Sequence, residues 1–212
     1  MATQIYLIRH GETEWSLAGR HTGRTDLPLT TDGERRASGL HEPLSGIAFA
    51  HVLTSPLQRA RRTCELAGFG AGAQVEPDLR EWDYGDYEGR TTAGIRAPRP
   101  DWDLFQDGCP GGESAGQITA RADGVLGRVR ALDGTVAVFS HGHILRVLAV
   151  RWIGLPVQEA RHLAMDTGAL SVLGYERADR VNAVISLWNT VPNGVGPNPA
   201  LPNAGPPPGT AT

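Results

Sequence analysis

Short apolar runs alternate along the chain with longer segments in which apolar residues recur at helical spacing. The runs predict strands and the amphipathic segments predict helices. Predicted strands cover residues 4–9, 50–54, 74–76, 135–140, 168–175 and 183–188, and predicted helices cover about 31–44, 55–67, 113–132 and 142–153. Because strands and helices alternate, we expect an α/β fold, a three-layer sandwich with a mainly parallel sheet flanked by helices on both faces.

Capping residues set the limits of two of these helices. A Thr-Asp-Gly-Glu run opens the helix at residue 31, and Ser55 is a favourable N-cap that places Pro56 at the first helical position. Residues 77–112 are rich in Gly, Pro, Asp and aromatic residues, which predicts a long loop with short helical pieces. A loop of this length is expected to carry function.

The end of the chain differs in composition from the rest. Residues 191–212 contain 7 Pro and 4 Gly and no charged residue. Such a segment cannot build a packed core. We therefore expect one folded domain over residues 1–190 and a disordered tail over residues 191–212.

All 20 basic residues are arginine, because the sequence contains no lysine. This excludes mechanisms that need a lysine, which include P-loop phosphate binding, protein-kinase phosphoryl transfer and Schiff-base chemistry. The formal net charge of −3 gives no general attraction to nucleic acid or to an anionic membrane, so neither is expected as a partner. Anion binding must then come from a local cluster of arginines.

The sequence shows no targeting pattern. Its first residues lack the basic and long apolar regions of a signal peptide, and no stretch reaches the roughly 18 to 20 apolar residues of a transmembrane helix. Cys64 and Cys109 lie far apart without metal-type spacing, so we expect reduced thiols, with a disulfide as the alternative. These features predict a cytoplasmic protein.

Two histidines stand where predicted strands end. His10 follows the first strand and His141 follows the strand that ends at residue 140, and a glycine comes after each. Arg9 precedes His10, and Arg59 lies in the first turn of a helix that also begins just past a strand end. The carboxyl ends of parallel strands meet at one edge of a sheet, so we expect these four side chains to converge there.

Phosphoryl transfer to a histidine nitrogen suits such a cluster. Arginine forks match phosphate oxygens, one imidazole attacks, and a second, protonated imidazole donates to an equatorial oxygen. The leaving oxygen also needs a proton from a carboxylic acid. The loop over residues 80–89 offers Glu81, Asp83, Asp86 and Glu88, and spacing alone does not choose among them.

Six segments carry recognisable motifs in order along the chain: Arg9-His10-Gly11-Glu12-Thr13, His21-Thr22-Gly23, Leu29-Thr30, Ser55-Pro56-Leu57-Gln58-Arg59-Ala60, Leu79-Arg80-Glu81 and Ser140-His141-Gly142. Together they resemble the histidine phosphatase superfamily, the phosphoglycerate-mutase-like proteins, over about residues 1–190. The resemblance implies that His10 accepts the phosphoryl group, that Arg9, Arg59 and His141 form the phosphate pocket, and that Glu81 donates the proton.

Five further residues are candidates for substrate binding. The resemblance makes Thr22 and Gly23 part of the substrate wall and closes the pocket with the backbone of Gly142. Ser16 stands where many family members have asparagine, so a hydroxyl would replace an amide in a phosphate hydrogen bond. Arg62 is added because it lies one turn along its helix from the phosphate-pocket arginine.

Residues 81–89, with Gly108-Cys109 and Gly112-Glu113-Ser114, resemble a narrower subgroup. That subgroup includes mycobacterial broad-specificity acid phosphatases and fungal sedoheptulose bisphosphatase. The resemblance implies a metal-independent phosphomonoesterase without cofactor, acting through a phosphohistidine on sugar phosphates or on a broad range of small phosphorylated molecules. Neither the physiological substrate nor a homo-oligomeric state follows from the sequence.

Three alternatives remain at this point. A phosphoglycerate mutase of the family would carry a longer insertion after the acid loop to exclude water, and about 190 folded residues argue against it. A metal hydrolase could use His10, His141 and Glu81 as zinc ligands, but Arg9 and Arg59 would repel the cation. An inactive phospho-ligand binding module would need neither nucleophile nor acid.

The remaining histidines and loop aromatics receive no assigned role. His143 lies close to the strand end that also carries His141, whereas His21, His41, His51 and His162 lie at no predicted strand end. For Tyr84 and Trp102 we expect packing within the loop, with lining of the substrate pocket as the alternative.

Overall fold

The computed structural model describes residues 2–192, with side chains from residue 4 onward. Six strands form one sheet: β1 (Ala2–Arg9), β2 (Phe49–Thr54), β3 (Ala73–Val75), β4 (Gly134–Ser140), β5 (Leu170–Tyr175) and β6 (Ala183–Thr190). The predicted disorder of the tail falls almost entirely on residues 193–212, which lie outside the described residues. The domain limit at residue 190 therefore stays a prediction.

Eight α-helices connect and flank the strands: α1 (Glu14–Leu17), α2 (Thr31–Gly39), α3 (His41–Ser45), α4 (Gln58–Leu66), α5 (Thr92–Arg96), α6 (Leu104–Asp107), α7 (Ala115–Ala131) and α8 (Gly142–Trp152) in the described part of the chain. Short 3₁₀ segments cover Gly70–Gly72, Pro77–Leu79, Gly85–Tyr87 and Val157–His162. The region between residues 77 and 112 is thus a long connection with short helical pieces, as predicted.

The sheet has the strand order β3-β2-β4-β1-β5-β6. The first four strands are parallel to one another, whereas β5 pairs antiparallel with β1 and β6 pairs antiparallel with β5. The carboxyl ends of β1, β2 and β4 therefore lie side by side. This confirms the predicted convergence of the segments that follow these strands.

Helices cover both faces of the sheet. Successive strand residues point to opposite faces. Leu7 and Val138 accordingly pack in one core with residues of α7 and α8. Ile8 and Phe139 pack in a second core with Leu40, from the α2–α3 segment, and with α4. The predicted three-layer sandwich is confirmed.

The helix predicted over residues 31–44 is in fact two helices. Thr30 caps α2 by accepting the Gly33 N–H at 2.9 Å, and the helix ends before Leu40. Pro43 lies in the next turn and has no N–H to donate to the carbonyl of Gly39. A continuous helix would lose that hydrogen bond and bring the proline ring against the carbonyl, so the helix is interrupted before Pro43.

The prediction that Ser55 caps a helix starting at Pro56 is wrong, because α4 begins at Gln58. Ser55 Oγ lies 2.7 Å from His141 Nε2, and Leu57 is extended. The first helical amide instead donates to Asp26 Oδ1, 2.8 Å away. The sequence signal for a cap therefore marks a site residue, and the helix is capped from a distant segment.

In the part of the chain that the structure describes, no helix is long and apolar enough to cross a membrane. Cys64 and Cys109 are free and buried, as expected for reduced thiols. Burial raises the pKa of each thiol to about 12. Neither thiol is therefore a reactive thiolate.

Candidate active site

The ends of β1 and β4 bring two buried imidazoles together. His10 directly follows β1 and His141 directly follows β4. The backbone N–H of His10 donates to the backbone carbonyl of Ser140 at 2.9 Å. The centroids of the two rings are 5.2 Å apart. His10 keeps 5% of its surface exposed, whereas His141 is fully buried. Only the first ring therefore faces a space that a ligand can enter.

One hydrogen bond orients the His10 ring. Nδ1 lies 2.7 Å from the carbonyl oxygen of Gly11, which can only accept, so the proton sits on Nδ1. Nε2 then carries a free lone pair. Burial first, and then the charges of Arg59 and Arg9, hold the pKa of His10 well below its usual value. The neutral imidazole that a nucleophile requires is the resting form.

His141 is held from both sides. Arg59 Nε donates to Nδ1 at 3.1 Å, so the proton of the neutral ring sits on Nε2 and is directed to Ser55 Oγ at 2.7 Å. Burial and the charge of Arg59 hold the pKa of His141 well below its usual value. From the sequence we expect a protonated second imidazole, but His141 is neutral in the empty site.

Arg59 organises a neighbouring segment as well as His141. Its Nη1 donates to the carbonyl of Thr25, and its Nη2 donates to the carbonyls of Thr22 and Gly23, at 2.9 to 3.0 Å. Glu88 accepts the N–H groups of Gly23 and Thr25 at 2.9 to 3.1 Å. Residues 22–25, called the wall segment below, are thus fixed by an arginine on one side and a carboxylate on the other.

Arg9 reaches the site with part of its guanidinium unpaired. Nη1 donates to the carbonyl of Met165, and the buried Nε has no hydrogen-bond partner. A Cβ at Gly142 would lie 3.2 Å from the guanidinium carbon, so a glycine is needed for this close packing. Met165 takes only one N–H group of Nη1, so the outer nitrogens of the guanidinium, unlike the enclosed Nε, are left for an oxygen-rich ligand.

Glu81 lies at the N-terminus of α8. Its two carboxyl oxygens accept the backbone N–H groups of Trp82, His143 and Ile144 at 2.9 to 3.0 Å. Burial alone would raise the pKa of this carboxyl. The hydrogen bond and charge of His143, followed by the other neighbours, outweigh burial and hold the pKa well below the usual range. Glu81 is therefore ionised in the empty site.

The structure separates Glu81 from the other three acids of its loop. Asp83 pairs with Arg24 at 2.6 Å, Asp86 is exposed, and Glu88 binds the wall segment. Of the four candidates, Glu81 alone lines the cavity at His10. The position of Glu81 thus distinguishes it from the other three acids, which the spacing in the sequence does not do.

The cavity, called the His10 cavity below, has a volume of about 210 Å³. Five predicted site residues line it: Arg9, His10, Ser16, Thr22 and Glu81. Six further residues complete the lining: Gly19, Arg20, His21, Tyr84, Thr92 and His143. Arg59, His141 and Gly142 lie behind these residues and are fully or nearly fully buried.

Sequence reasoning did not assign His21 or His143 to this site, and it gave pocket lining by Tyr84 only as the alternative to packing within the loop. The Tyr84 hydroxyl lies 2.6 Å from Nδ1 of His143, and the rings of His21 and Tyr84 have centroids 4.7 Å apart. His143 follows the same strand end as His141, and His21 opens the motif that contains Thr22. These two positions in the sequence could have identified His143 and His21 as site residues.

Two predicted substrate residues have other partners. The Ser16 hydroxyl accepts the Thr13 N–H and donates to the Thr13 carbonyl, both at 2.9 Å, in the cap of α1. Arg62 is exposed, pairs with Glu34 and Glu65, and faces a different surface depression. The structure therefore does not bring Arg62 to the His10 cavity, because its helix turns that side chain toward α2.

Among residues 4–192, no cluster of three His, Cys, Asp or Glu side chains is arranged to hold a metal ion. Near His10 the charged neighbours include Arg9 and Arg59, which favour anions. The arrangement is suited to a phosphate group with a neutral imidazole beside it.

Most of the chain is similar to known proteins. The chain matches the histidine phosphatase superfamily (branch 1) over residues 5–190. It is 40% identical to an acid phosphatase of Mycobacterium tuberculosis over 87% of this chain and 92% of that protein. It is 37% identical to sedoheptulose 1,7-bisphosphatase of Saccharomyces cerevisiae over 75% of this chain and 70% of that protein.

Two further comparisons bear on fold and function. The chain is 33% identical to a probable phosphoglycerate mutase of Cronobacter sakazakii over 82% of this chain and 86% of that protein. The solved structure of open reading frame Rv3214 from Mycobacterium tuberculosis superposes with a TM-score of 0.81 at 38% identity, over 89% of this chain and 99% of the other. The fold is thus shared with proteins of this size.

Proposed function

Since the chain belongs to the histidine phosphatase superfamily, we propose that it hydrolyses phosphomonoesters through a phosphohistidine on His10, without a metal ion. The observation that carries this proposal is the hydrogen bond from His10 Nδ1 to Gly11, which leaves Nε2 as the nucleophile. The low pKa of this ring keeps Nε2 unprotonated even on the acid side of neutrality.

In the first step Nε2 of His10 attacks phosphorus, and the bond from phosphorus to the leaving oxygen breaks. Charge on the transferring group spreads over its three equatorial oxygens. Arg9 supplies the free donors, because it lines the cavity and Met165 takes only one N–H group of its Nη1. We assign Arg9 as the main phosphate ligand.

Arg59 has a different part in this scheme. Four of its five N–H groups are used by His141 and by the wall segment. Only one N–H group is left, and the residue lies behind the cavity lining, so Arg59 cannot offer a phosphate a full fork. Its larger contribution is positive charge and a fixed position for His141, which in turn packs against His10.

Glu81 is the proton donor in this proposal, although it is ionised in the empty site. A bound phosphate dianion raises the pKa of a nearby carboxyl, and a substrate monoanion, which prevails below about pH 6, brings the proton with it. Glu81 then passes that proton to the leaving oxygen. Turnover should consequently be fastest on the acid side of neutrality.

The second step returns the enzyme to its first state, once Glu81 has passed the proton it gains to the departing phosphate, which leaves as the monoanion. Water attacks the phosphohistidine, Glu81 takes a proton from that water, and the bond between Nε2 and phosphorus breaks to release inorganic phosphate. The His10 cavity opens to solvent through exposed residues such as Gly19, Arg20 and Thr92. Water can therefore reach the intermediate, which favours hydrolysis.

Sugar phosphates, or a broad range of small phosphate esters, are the proposed substrates. The acid phosphatase and the sedoheptulose bisphosphatase among the relatives support this class. A mutase remains the second candidate. On sequence grounds a mutase is expected to be longer than this chain, and that expectation is wrong for the relative named probable phosphoglycerate mutase, because the chain covers 86% of that protein.

The test is a phosphate-release screen across sugar monophosphates, phosphoglycerates and an aryl phosphate, run with isomerisation assays on the phosphoglycerates. Wild type should release phosphate, His10→Ala should not, and His162→Ala, which alters an exposed histidine, should match wild type. Isomerisation that exceeds release would make the protein a mutase. Full activity of His10→Ala would overturn the proposal.

A further inference from the structure

A second cavity, of about 200 Å³, lies beside the His10 cavity. His21, Thr92 and His143 line both cavities and form their common border. We call it the distal cavity. A ligand whose reacting phosphate lies at His10 can extend past this border without leaving the protein surface.

Three arginines line the distal cavity: Arg96 from α5, Arg146 from α8 and Arg161 from the 3₁₀ segment Val157–His162. One carboxylate, that of Asp103, accompanies them and lies 3.4 Å from Nη1 of Arg161. The cavity therefore has an excess of two positive charges. The mechanism proposed above uses none of these residues.

Arg146 is the most deeply buried of the three and has no carboxylate partner among the described residues. Its Nε and Nη2 donate to the carbonyl of Ala160, and its guanidinium carbon lies 4.6 Å from the centroid of the Phe105 ring. Burial lowers its pKa to about 10. An unpaired guanidinium held at the wall of a cavity favours an anionic ligand.

Arg96 is also free of any ion pair between residues 4 and 192, and its Nε donates to the carbonyl of Trp102 at 2.9 Å. The histidines at the border add no charge, since burial and His143 lower the pKa of His21 to about 3. The positive charge of the cavity thus comes from guanidinium groups, whose geometry suits phosphate oxygens.

We propose that the distal cavity binds a second phosphate group of the substrate, so that the enzyme prefers sugar bisphosphates to the matching monophosphates. This inference rests on the proposed function for the reacting phosphate at His10. Arg96, Arg146 and Arg161 are then specificity-determining residues, and the border residues contact the sugar between the two phosphates.

The test compares fructose 1,6-bisphosphate with fructose 1-phosphate and fructose 6-phosphate. In wild type, kcat/KM should be higher for the bisphosphate. In Arg96→Ala and Arg161→Ala, both exposed, the ratio of bisphosphate to the better monophosphate should fall by about tenfold to a hundredfold, the effect of one lost charge-assisted hydrogen bond. Arg146→Lys, which keeps the charge but loses the fork, should also lower it.

Arg151→Ala is the matched control. Arg151 lies on the same helix as Arg146 but pairs with Asp123 away from both cavities. The ratio of kcat/KM for the bisphosphate to that for the better monophosphate should therefore be the same in this variant as in wild type. An unchanged ratio in the three distal variants, or no preference for the bisphosphate in wild type, would overturn the inference. A second pair of substrates, 3-phosphoglycerate and glycerol 3-phosphate, differs by a carboxylate. If the three variants lower the kcat/KM ratio of that pair but leave the bisphosphate ratio unchanged, the cavity binds a carboxylate, and the inference is also overturned.

Binding to His10→Ala separates the two proposals. Calorimetry should give a weaker affinity for fructose 1,6-bisphosphate when Arg96→Ala and Arg161→Ala are added to that variant. If wild type releases phosphate from no ester, the proposed function fails, and the calorimetry still decides the distal site. If monophosphates are hydrolysed and bisphosphate affinity is unaffected, the distal site fails and the proposed function stands.

Discussion

Single residues in this site depend on the hydrogen bonds that fix their protonation. Gly11 fixes the proton of His10, Arg59 fixes that of His141, and His143 together with backbone amides keeps Glu81 ionised until a phosphate arrives. The acid and the nucleophile therefore differ in how they reach their active forms. His10 is ready in the empty enzyme, whereas Glu81 acquires its proton with the substrate.

Glu81→Gln tests the assignment of the acid. The amide cannot donate a mobile proton, so release from a sugar phosphate, with its poor leaving group, should slow by about two to four orders of magnitude. An aryl phosphate needs little protonation and should slow much less. Steady-state kinetics on both esters give the contrast.

Asp83→Asn is the control for that experiment, because Asp83 lies on the same loop but pairs with Arg24. It should leave the ratio of the two rates as in wild type. Equal slowing of both esters by Glu81→Gln, or a leaving-group effect in Asp83→Asn, would show that another group is the acid.

At the scale of elements, the strand ends bring the site together and the wall segment closes one side of it. The wall segment has no regular secondary structure, and Arg59 of α4 and Glu88 supply its hydrogen bonds. Its position thus depends on side chains from two distant parts of the chain.

Arg59→Lys should loosen the wall segment. One ammonium cannot bond three carbonyls and His141 together, so kcat/KM should fall by about a hundredfold or more, the effect of losing two or more charge-assisted hydrogen bonds. Hydrogen exchange at the amides of Gly23 and Thr25 should become faster. Arg61→Lys, on the exposed side of the same helix, should change neither. Unchanged exchange in Arg59→Lys would show that the segment holds its position without the arginine.

The same elements show how far sequence reasoning reaches. Hydrophobic periodicity and the rule for parallel strands place His10 and His141 at one sheet edge, and the structure confirms that edge. The start of α4 could not be predicted, because Ser55 bonds His141 and Asp26 caps the helix from another segment. Such contacts exist only in the folded chain.

The loop residues of the site show the same limit. Tyr84 and His143 meet through a 2.6 Å contact between α8 and a connection without regular periodicity. Tyr84 is also fully buried, so both the packing and the pocket-lining expectations apply to it. Residues of this kind are positioned by tertiary contacts rather than by local propensity.

At the scale of the whole molecule, burying several neutral histidines makes stability depend on pH. The folded pKa values of His10, His21, His141 and His143 are all lowered by burial, so the unfolded chain binds more protons below its usual histidine pKa of about 6.5. The free energy of unfolding should therefore decrease as pH falls below about 6.5, by up to about 1.4 kcal/mol per pH unit for each proton.

Urea unfolding at pH 7.5, 6.0 and 5.0 measures this effect as a decreasing midpoint. His21→Asn should make the midpoint decrease less with falling pH. The variant lacks a histidine whose pKa of about 3 in the folded state would otherwise return to its usual value on unfolding. The exposed His162 offers the control, since His162→Asn should leave the pH dependence as it is. A midpoint that does not change between pH 7.5 and 5.0 would contradict the neutral state of the buried rings.

The enzyme as a whole should also work without a divalent cation. Arginines supply the positive charge at the phosphate, so activity should persist after exhaustive chelation, and vanadate should inhibit because it mimics five-coordinate phosphorus. Phosphate release measured before and after chelation checks this. Activity that disappears with chelator and returns with zinc or magnesium would support a metal hydrolase instead.

The proposed mechanism depends on a covalent bond between phosphorus and His10. Rapid-quench of wild type with a labelled sugar phosphate, followed by peptide mapping, detects this bond. We expect a phosphoenzyme that is labile in acid and stable in base, with the label on the peptide that contains His10 and no label in His10→Ala. A label that is lost in base, that lies on another residue, or that persists in His10→Ala would rule out the phosphohistidine on His10.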